Sequence, residues 1–244
     1  MRIGVFDSGV GGLTVLKTLI KKYPYHEYIY FGDTLNVPYG NKTLEELNLL
    51  ADNCVSFLIS KKVDLIIIAC GTVSSNCISY LKKKYSIPIL DIITPVATYL
   101  NKTNLKNIAV LATSNTINSH IFKTKLSKNK TIYEIPTPDF VPLIESNNLS
   151  NISSIIASYL EPYKNKIDVV LLGCTHYPII TSYLSNYLGV TIPIIDMSNY
   201  LNIEYPPGKY SITIYFSRLE ESIITNTKRI LDIKAPLIKL SKEQ

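Results

Sequence analysis

Hydrophobic and polar positions along this chain alternate on a repeating plan: a short, almost wholly apolar run, then a longer stretch whose apolar residues recur three and four apart. Arg2 to Phe6 reads as a strand, and the glycines of Asp7-Ser8-Gly9-Val10-Gly11-Gly12 turn it into an amphipathic helix over Leu13 to Lys22. Tyr28 to Phe31 is a second strand, ending at Gly32-Asp33. Thr43 and Glu46 have the spacing of a capping box, ahead of a helix running to about Ser60. Leu65 to Ile68 is a strand, a helix passes through Cys77 to Lys84, and Ile87 to Asp91 is a short strand.

From about Ile93 the plan restarts. Asn107 to Ala112 reads as a strand, Thr116 to Ser127 as a helix, Thr131 to Ile135 as a strand, Ser153 to Tyr163 as a helix and Asp168 to Leu172 as a strand. Each half thus runs through strand, helix, strand and helix to a strand that ends in a cysteine, with no close repeat of sequence. Strands alternating with helices throughout predict the α/β class, as two doubly wound parallel sheets facing a shared cleft and related by a pseudo-twofold. Ser211 to Phe216 and Glu220 to Leu231 add a strand and a helix whose sheet the pattern does not assign.

Composition narrows the functions. The 244 residues are 46% hydrophobic with no apolar run long enough to span a bilayer, and Met1 to Asp7 lacks the features of a signal peptide, so a cytoplasmic protein without membrane contact is expected. A formal charge of +6, from 25 basic and 19 acidic residues, is dispersed in short groups such as Lys82-Lys83-Lys84 that suit a solvated helix face. Nucleic acid is therefore not an expected partner. Four cysteines without a Cys-x-x-Cys, and three histidines, give neither a zinc spacing nor a disulfide framework.

The chemistry concentrates at two strand ends. Cys70 follows Leu65-Ile66-Ile67-Ile68-Ala69 and Cys174 follows Val169-Val170-Leu171-Leu172-Gly173, each with a threonine close behind. Ligands of open α/β sheets bind at the carboxyl ends of such strands, so two thiols stand at two candidate site edges. Facing each other across one substrate, they would form a two-base proton-transfer device. Cysteine also packs as a small hydrophobe, which suffices for Cys54 and Cys77. His176 beside Cys174 favours chemistry there, and a Cys-His hydrolase uses the same pair but leaves Cys70 without a role. The first glycine turn has a nucleotide-binding reading too, through Gly9, Gly11 and Asp33, yet Thr14 stands where a third glycine is needed and Asp7 where a pyrophosphate would lie.

Three segments then resemble the glutamate racemases of the aspartate/glutamate racemase superfamily: Asp7 through Val15, Gly32-Asp33 with Pro38-Tyr39-Gly40, and Gly173 through Pro178. Phe140 through Glu145, and more loosely Thr113 through Ser119, resemble further segments of that family. The resemblance implies cofactor-independent 1,1-proton transfer, with one cysteine thiolate removing the Cα proton and the opposite thiol returning one. It assigns Asp7 to assist Cys70, and Glu145 and His176 to assist Cys174. Ser8, Pro38, Tyr39, Gly40, Gly71, Thr72, Thr113, Thr116 and Thr175 would hold the substrate. It implies two α/β domains, residues 1–93 with 207–244 and residues 94–206, with the C-terminal segment returning to the first. No metal is expected, the partner is a small molecule, glutamate or aspartate, and a homodimer is compatible with the resemblance. The family context ties D-glutamate to peptidoglycan precursors.

One position departs from the pattern. The family usually has Cys-Asn-Thr at the first cysteine, and this chain has Cys70-Gly71-Thr72. A lost charge-assisted contact from the missing amide would cost about 1.5–3 kcal/mol, so asparagine at position 71 is expected to raise turnover if that amide is limiting. Gly71 also leaves open an aspartate or dual-specificity racemase, and a catalytically impaired binding protein such as a gyrase-binding one. Retention of both cysteines, Asp7, Glu145 and His176 opposes the last.

Overall fold

The computed structural model of the chain describes residues 1–206 and 208–239; Pro207 and residues 240–244, which the sequence reading assigns to the first domain, lie outside the described residues. The first sheet contains β1 (Arg2–Asp7), β2 (Glu27–Gly32), β3 (Leu65–Ile68) and β4 (Ile89–Asp91). The second contains β5 (Asn107–Ala112), β6 (Thr131–Pro136), β7 (Val169–Leu172) and β8 (Ile194–Asp196). Their strand orders are β2-β1-β3-β4 and β6-β5-β7-β8, the same winding twice, and the pairings between them are parallel. Returning after the second sheet, β9 (Ser211–Phe216) pairs with β2, and β10 (Leu237–Lys239) pairs with β9.

The period-two geometry of the strands divides the apolar residues among three cores. Ile3, Val5, Leu65 and Ile67 of the first sheet join Ile108, Val110, Val169 and Leu171 of the second in one continuous cluster. Phe6, Ile66 and Ile68 face the helices Leu44–Ser60 and Ile78–Lys84 on the far side of the first sheet. Ala109, Leu111, Val170 and Leu172 face Ile152–Leu160 and Thr181–Leu188 on the far side of the second. The shared core brings the carboxyl ends of β1, β3, β5 and β7 together. None of the described helices is long and apolar enough to cross a membrane.

Several elements differ from the pattern. The helix expected through Cys77 is two pieces, Gly71–Asn76 and Ile78–Lys84, with Cys77 between them. The helix expected from Thr116 is also two, Ser114–Asn118 and Ile121–Lys125, because His120 adopts a left-handed conformation with φ 50°. Ile93–Asn101 is a helix the sequence reading left unassigned, although Ile93, Val96, Ala97 and Leu100 have helical spacing and are buried. Its start is capped by Asp91, which accepts from the N–H groups of Ile93 and Thr94 at 3.0 and 2.7 Å.

The capping box forms as the spacing predicts. Glu46 N–H donates to Thr43 Oγ1 at 3.3 Å and Thr43 N–H to Glu46 Oε2 at 2.8 Å. Thr43→Ala is expected to cost about 1 kcal/mol, which for a chain of this size lowers Tm by about 2–4 °C. An unchanged melting curve would mean that tertiary packing alone holds the start of this helix.

Candidate active site

In each sheet the second strand lies to one side of the first and the third to the other, so β1/β3 and β5/β7 are topological switch points, where open α/β sheets bind ligands. Asp7 ends β1, Cys70 lies just past β3, Thr113 follows β5, and Cys174 lies just past β7. The two crevices open onto one cavity of about 360 Å³, within the range of small-molecule sites. Cys70 and Cys174 both line it, from different sheets. So do Ser8, Pro38, Tyr39, Gly40, Gly71, Thr72, Thr113, Thr116, Glu145, Thr175 and His176. Asp7 is behind the lining and buried.

Around Cys174, His176 Nδ1 lies 3.7 Å from Sγ, and His176 Nε2 is 2.9 Å from Glu145 Oε1. This carboxylate, imidazole and thiol form a continuous line toward the cavity. Around Cys70, Sγ is 3.5 Å from Ser8 Oγ. Asp7 Oδ1 accepts from Gly9 N–H at 2.9 Å, and Asp7 Oδ2 is 3.4 Å from Thr175 Oγ1, which reaches across from the other sheet. A string of hydroxyls also crosses the cavity wall, with Thr72 Oγ1 3.1 Å from Thr113 Oγ1 and that atom 3.0 Å from Thr116 Oγ1.

Two glycines make these approaches sterically possible. A Cβ on Gly11 would stand 2.4 Å from His176 Nδ1 and 2.5 Å from Thr175 Oγ1. On Gly71 it would stand 2.6 Å from the backbone oxygen of Gly173, so the two cysteine segments meet here with no space for a side chain. In this arrangement an asparagine side chain cannot simply be added at position 71.

Asp33 is not a cavity group. Its buried carboxylate accepts from Tyr39 Oη at 2.7 Å, Ser217 Oγ at 2.7 Å and Asn36 Nδ2 at 2.9 Å, which ties the 33–39 loop to the residue after β9. That commitment removes the ribose-binding role a dinucleotide site would require, and it also occupies the Tyr39 hydroxyl. Sequence reasoning missed Asn41, Ser114, Thr137, Pro138, Val141 and Pro142 in the lining. The last two lie inside the Phe140 to Glu145 segment that the resemblance had marked, where only Glu145 was singled out.

The model of the family described as Asp/Glu/Hydantoin racemase matches residues 8–199. The chain is 35% identical to the glutamate racemase of Aquifex pyrophilus over 246 aligned residues, covering 97% of this chain and 96% of the relative. The chain belongs to the Asp/Glu/Hydantoin racemase family. Among solved structures, a glutamate racemase isoform from Bacillus anthracis superposes with a TM-score of 0.92 at 25% identity, covering 99% of this chain and 97% of that one. The glutamate racemase from Francisella tularensis, solved in complex with D-glutamate, gives 0.87 at 30% identity, with 99% and 98% covered.

Within this racemase fold the two thiols have different electrostatic settings. Burial, and next the charge of Asp7, push the Cys70 thiol up to about 12, while Ser8 and the Val73 N–H oppose the shift. Burial also raises Asp7 above the usual carboxylate range, against the pull of His176 and the N–H groups of Gly9 and Gly12. On the other side, burial disfavours a charged imidazole, but Cys174 and Glu145 on its two nitrogens together lift His176 well above its ordinary value. Burial works against ionised Glu145, and the hydrogen bond and charge of His176 outweigh it and hold this carboxyl low. Cys70 thus stands near a carboxyl that keeps its proton more readily, and Cys174 beside an imidazole whose charged form is favoured.

Proposed function

We propose that this protein interconverts L- and D-glutamate without a cofactor, holding the substrate Cα between Cys70 and Cys174. The observation that carries this reading is that the two cysteines border one cavity from different sheets, each with its own proton-exchanging neighbours. The D-glutamate complex of the Francisella tularensis relative supports glutamate as the substrate.

The α-proton of an amino acid is a very weak acid, so its removal requires a base held against the C–H bond and an environment that stabilises the carbanion as it forms. In one direction the thiolate of one cysteine takes the proton, forming an S–H bond as the electron pair of the C–H bond passes to Cα. The thiol of the other cysteine then gives its proton to the opposite face of Cα, leaving a thiolate there. The reverse direction exchanges the roles. Asp7 assists Cys70, and the Glu145–His176 pair assists Cys174 by holding a positive charge beside its sulfur. Ser8, Thr72, Thr113, Thr116 and Thr175, with the Pro38-Tyr39-Gly40 turn and Gly71, orient the substrate ends. Residues 1–93 with 208–239 act as one unit and 94–206 as the other, and their closure over the substrate excludes water. The D-glutamate formed serves peptidoglycan precursors.

The test is incubation with each enantiomer of glutamate and of aspartate in heavy water, following Cα deuteration by NMR and optical rotation. Because a different thiol delivers the returning proton, the product enantiomer should carry deuterium from the first turnovers while the remaining substrate keeps its protium. No exchange with any of the four amino acids would exclude a racemase. Exchange with aspartate alone would move the substrate to the shorter acid.

A further inference from the structure

Glu145 ends a helix of six residues, Phe140–Glu145, and the terminal carbonyls of so short a helix need donors from elsewhere. The turn that follows supplies three, with the Ser146, Asn148 and Asn147 N–H groups donating to the Pro142, Leu143 and Ile144 carbonyls, and a distant part of the chain supplies the rest. Asn226 Nδ2 donates to the Glu145 carbonyl at 2.9 Å, and Arg229 Nη2 donates to the Ile144 carbonyl at 2.8 Å. Arg229 Nη2 also donates to Asn226 Oδ1 at 2.7 Å, which fixes the amide with its NH2 group toward Glu145. Its Nη1 donates to Asn147 Oδ1, on a residue whose left-handed φ of 54° ends the turn after Glu145. A guanidinium at the negative end of a helix is favourably placed, and its rigid fork holds several acceptors at once.

Both donors lie on the helix Glu221–Leu231, which follows β9 and so hangs from the first sheet. That helix is fixed in turn: Ile223, Ile230 and Leu231 are in the shared core, and Lys17 Nζ donates to the Ile230 carbonyl at 2.8 Å. An unbroken path therefore runs from the first sheet through Arg229 and Asn226 to the main chain at Glu145, then through its carboxylate to His176 and Cys174.

We propose that Arg229 and Asn226 are positioning residues that set the Glu145 carboxylate against His176 and so tune the Cys174 side of the site from the C-terminal helix. The proposal rests on the reading that Glu145 and His176 serve Cys174. Neither residue lines the cavity, so both act through the segment that carries Glu145. Loss of the fork leaves the Ile144 carbonyl with the Asn147 N–H alone at 3.2 Å and releases the Asn226 amide oxygen and the Asn147 side chain together, and a displacement of Glu145 by about 1 Å is enough to break its hydrogen bond to His176.

The experiment measures kcat, KM and Tm for Arg229→Ala, Glu145→Gln and the double variant. Arg229→Ala should lower kcat about tenfold, with KM changed by less than about twofold, because the interaction lost bears on the proton-transfer step. In the Glu145→Gln background it should lower kcat no further, since residues on one path are not additive. A full additional loss in the double variant, an unchanged kcat in the single one, or a loss confined to KM would overturn the proposal. Arg229→Lys keeps the charge with one nitrogen in place of the fork and should fall between wild type and Arg229→Ala; turnover at the wild-type level would show that the fork does no positioning. Glu145→Gln at wild-type turnover would instead remove the reading on which the proposal rests.

Discussion

Cys70→Ser and Cys174→Ser are each expected to lower the rate of glutamate racemisation by about 10²–10⁴-fold, the range lost when a positioned acid or base is removed. Serine keeps the size of the side chain and a hydrogen-bonding group, so the cavity retains its shape. Its hydroxyl is a far weaker acid than a thiol, however, and supplies no anion able to take the Cα proton near neutral pH. Both substitutions should be severe, because the proposed mechanism uses one sulfur as base and the other as acid in each turnover. The control is Cys77→Ser, where the thiol is buried in the outer core of the first sheet and lines no part of the cavity. It should lower stability while the folded fraction keeps its turnover. Near-wild-type racemisation by either strand-end variant, measured polarimetrically in both directions, would refute the two-base assignment.

Gly71→Ala and Gly71→Asn are both expected to reduce turnover, the opposite of what the departure at this position suggests from sequence alone. The first atom of any side chain at position 71 would sit 2.6 Å from the Gly173 carbonyl, and that obstacle is main chain, unable to swing aside. Relief requires the ends of β3 and β7 to separate, and overpacking of this kind costs about 1–3 kcal/mol, or about 5- to 160-fold in the closed population. The cost arises at Cβ, so alanine should show most of it. If Gly71→Ala retains wild-type kcat/KM, the contact with Gly173 does not govern closure. If Gly71→Asn exceeds wild type while Gly71→Ala falls below it, a substrate contact from the amide outweighs the steric cost.

The fold was readable where local signals are strong. The helix Leu44–Ser60 begins at its capping box, and Leu13–Lys22 begins where the glycine turn ends, because capping and helical periodicity are properties of neighbouring residues. The breaks at Cys77 and His120 were not readable, since no proline or glycine marks either of them. The membership of β9 in the first sheet was likewise invisible to periodicity. A strand's partner is decided by which edge is open, and here that edge belongs to β2, formed far earlier in the chain.

At the site, residue identities came from the sequence and their relations from the fold. The order of residues shows Cys70 and Cys174 at two strand ends, with Asp7, Glu145 and His176 as chemically suitable neighbours. It did not show that Asp33 is consumed by Tyr39, Ser217 and Asn36, nor that Asn226 and Arg229 support the segment carrying Glu145. Those contacts join residues between 81 and 184 positions apart in the case of Ser217, Asn226 and Arg229, and no periodicity or motif encodes such a pairing.

By itself the sequence determined the α/β class, the two-fold repetition of the strand plan, and the two thiols at strand ends, because hydrophobic spacing and turn chemistry act over a few residues. Only the tertiary structure decided that the thiols border one cavity, that a side chain at Gly71 would press on the Gly173 carbonyl, and that the C-terminal helix grips the Glu145 segment. The physical reason is that a distance between two chain segments follows from how whole sheets pack on a common core. At position 71 this distance reverses the expected effect of an asparagine.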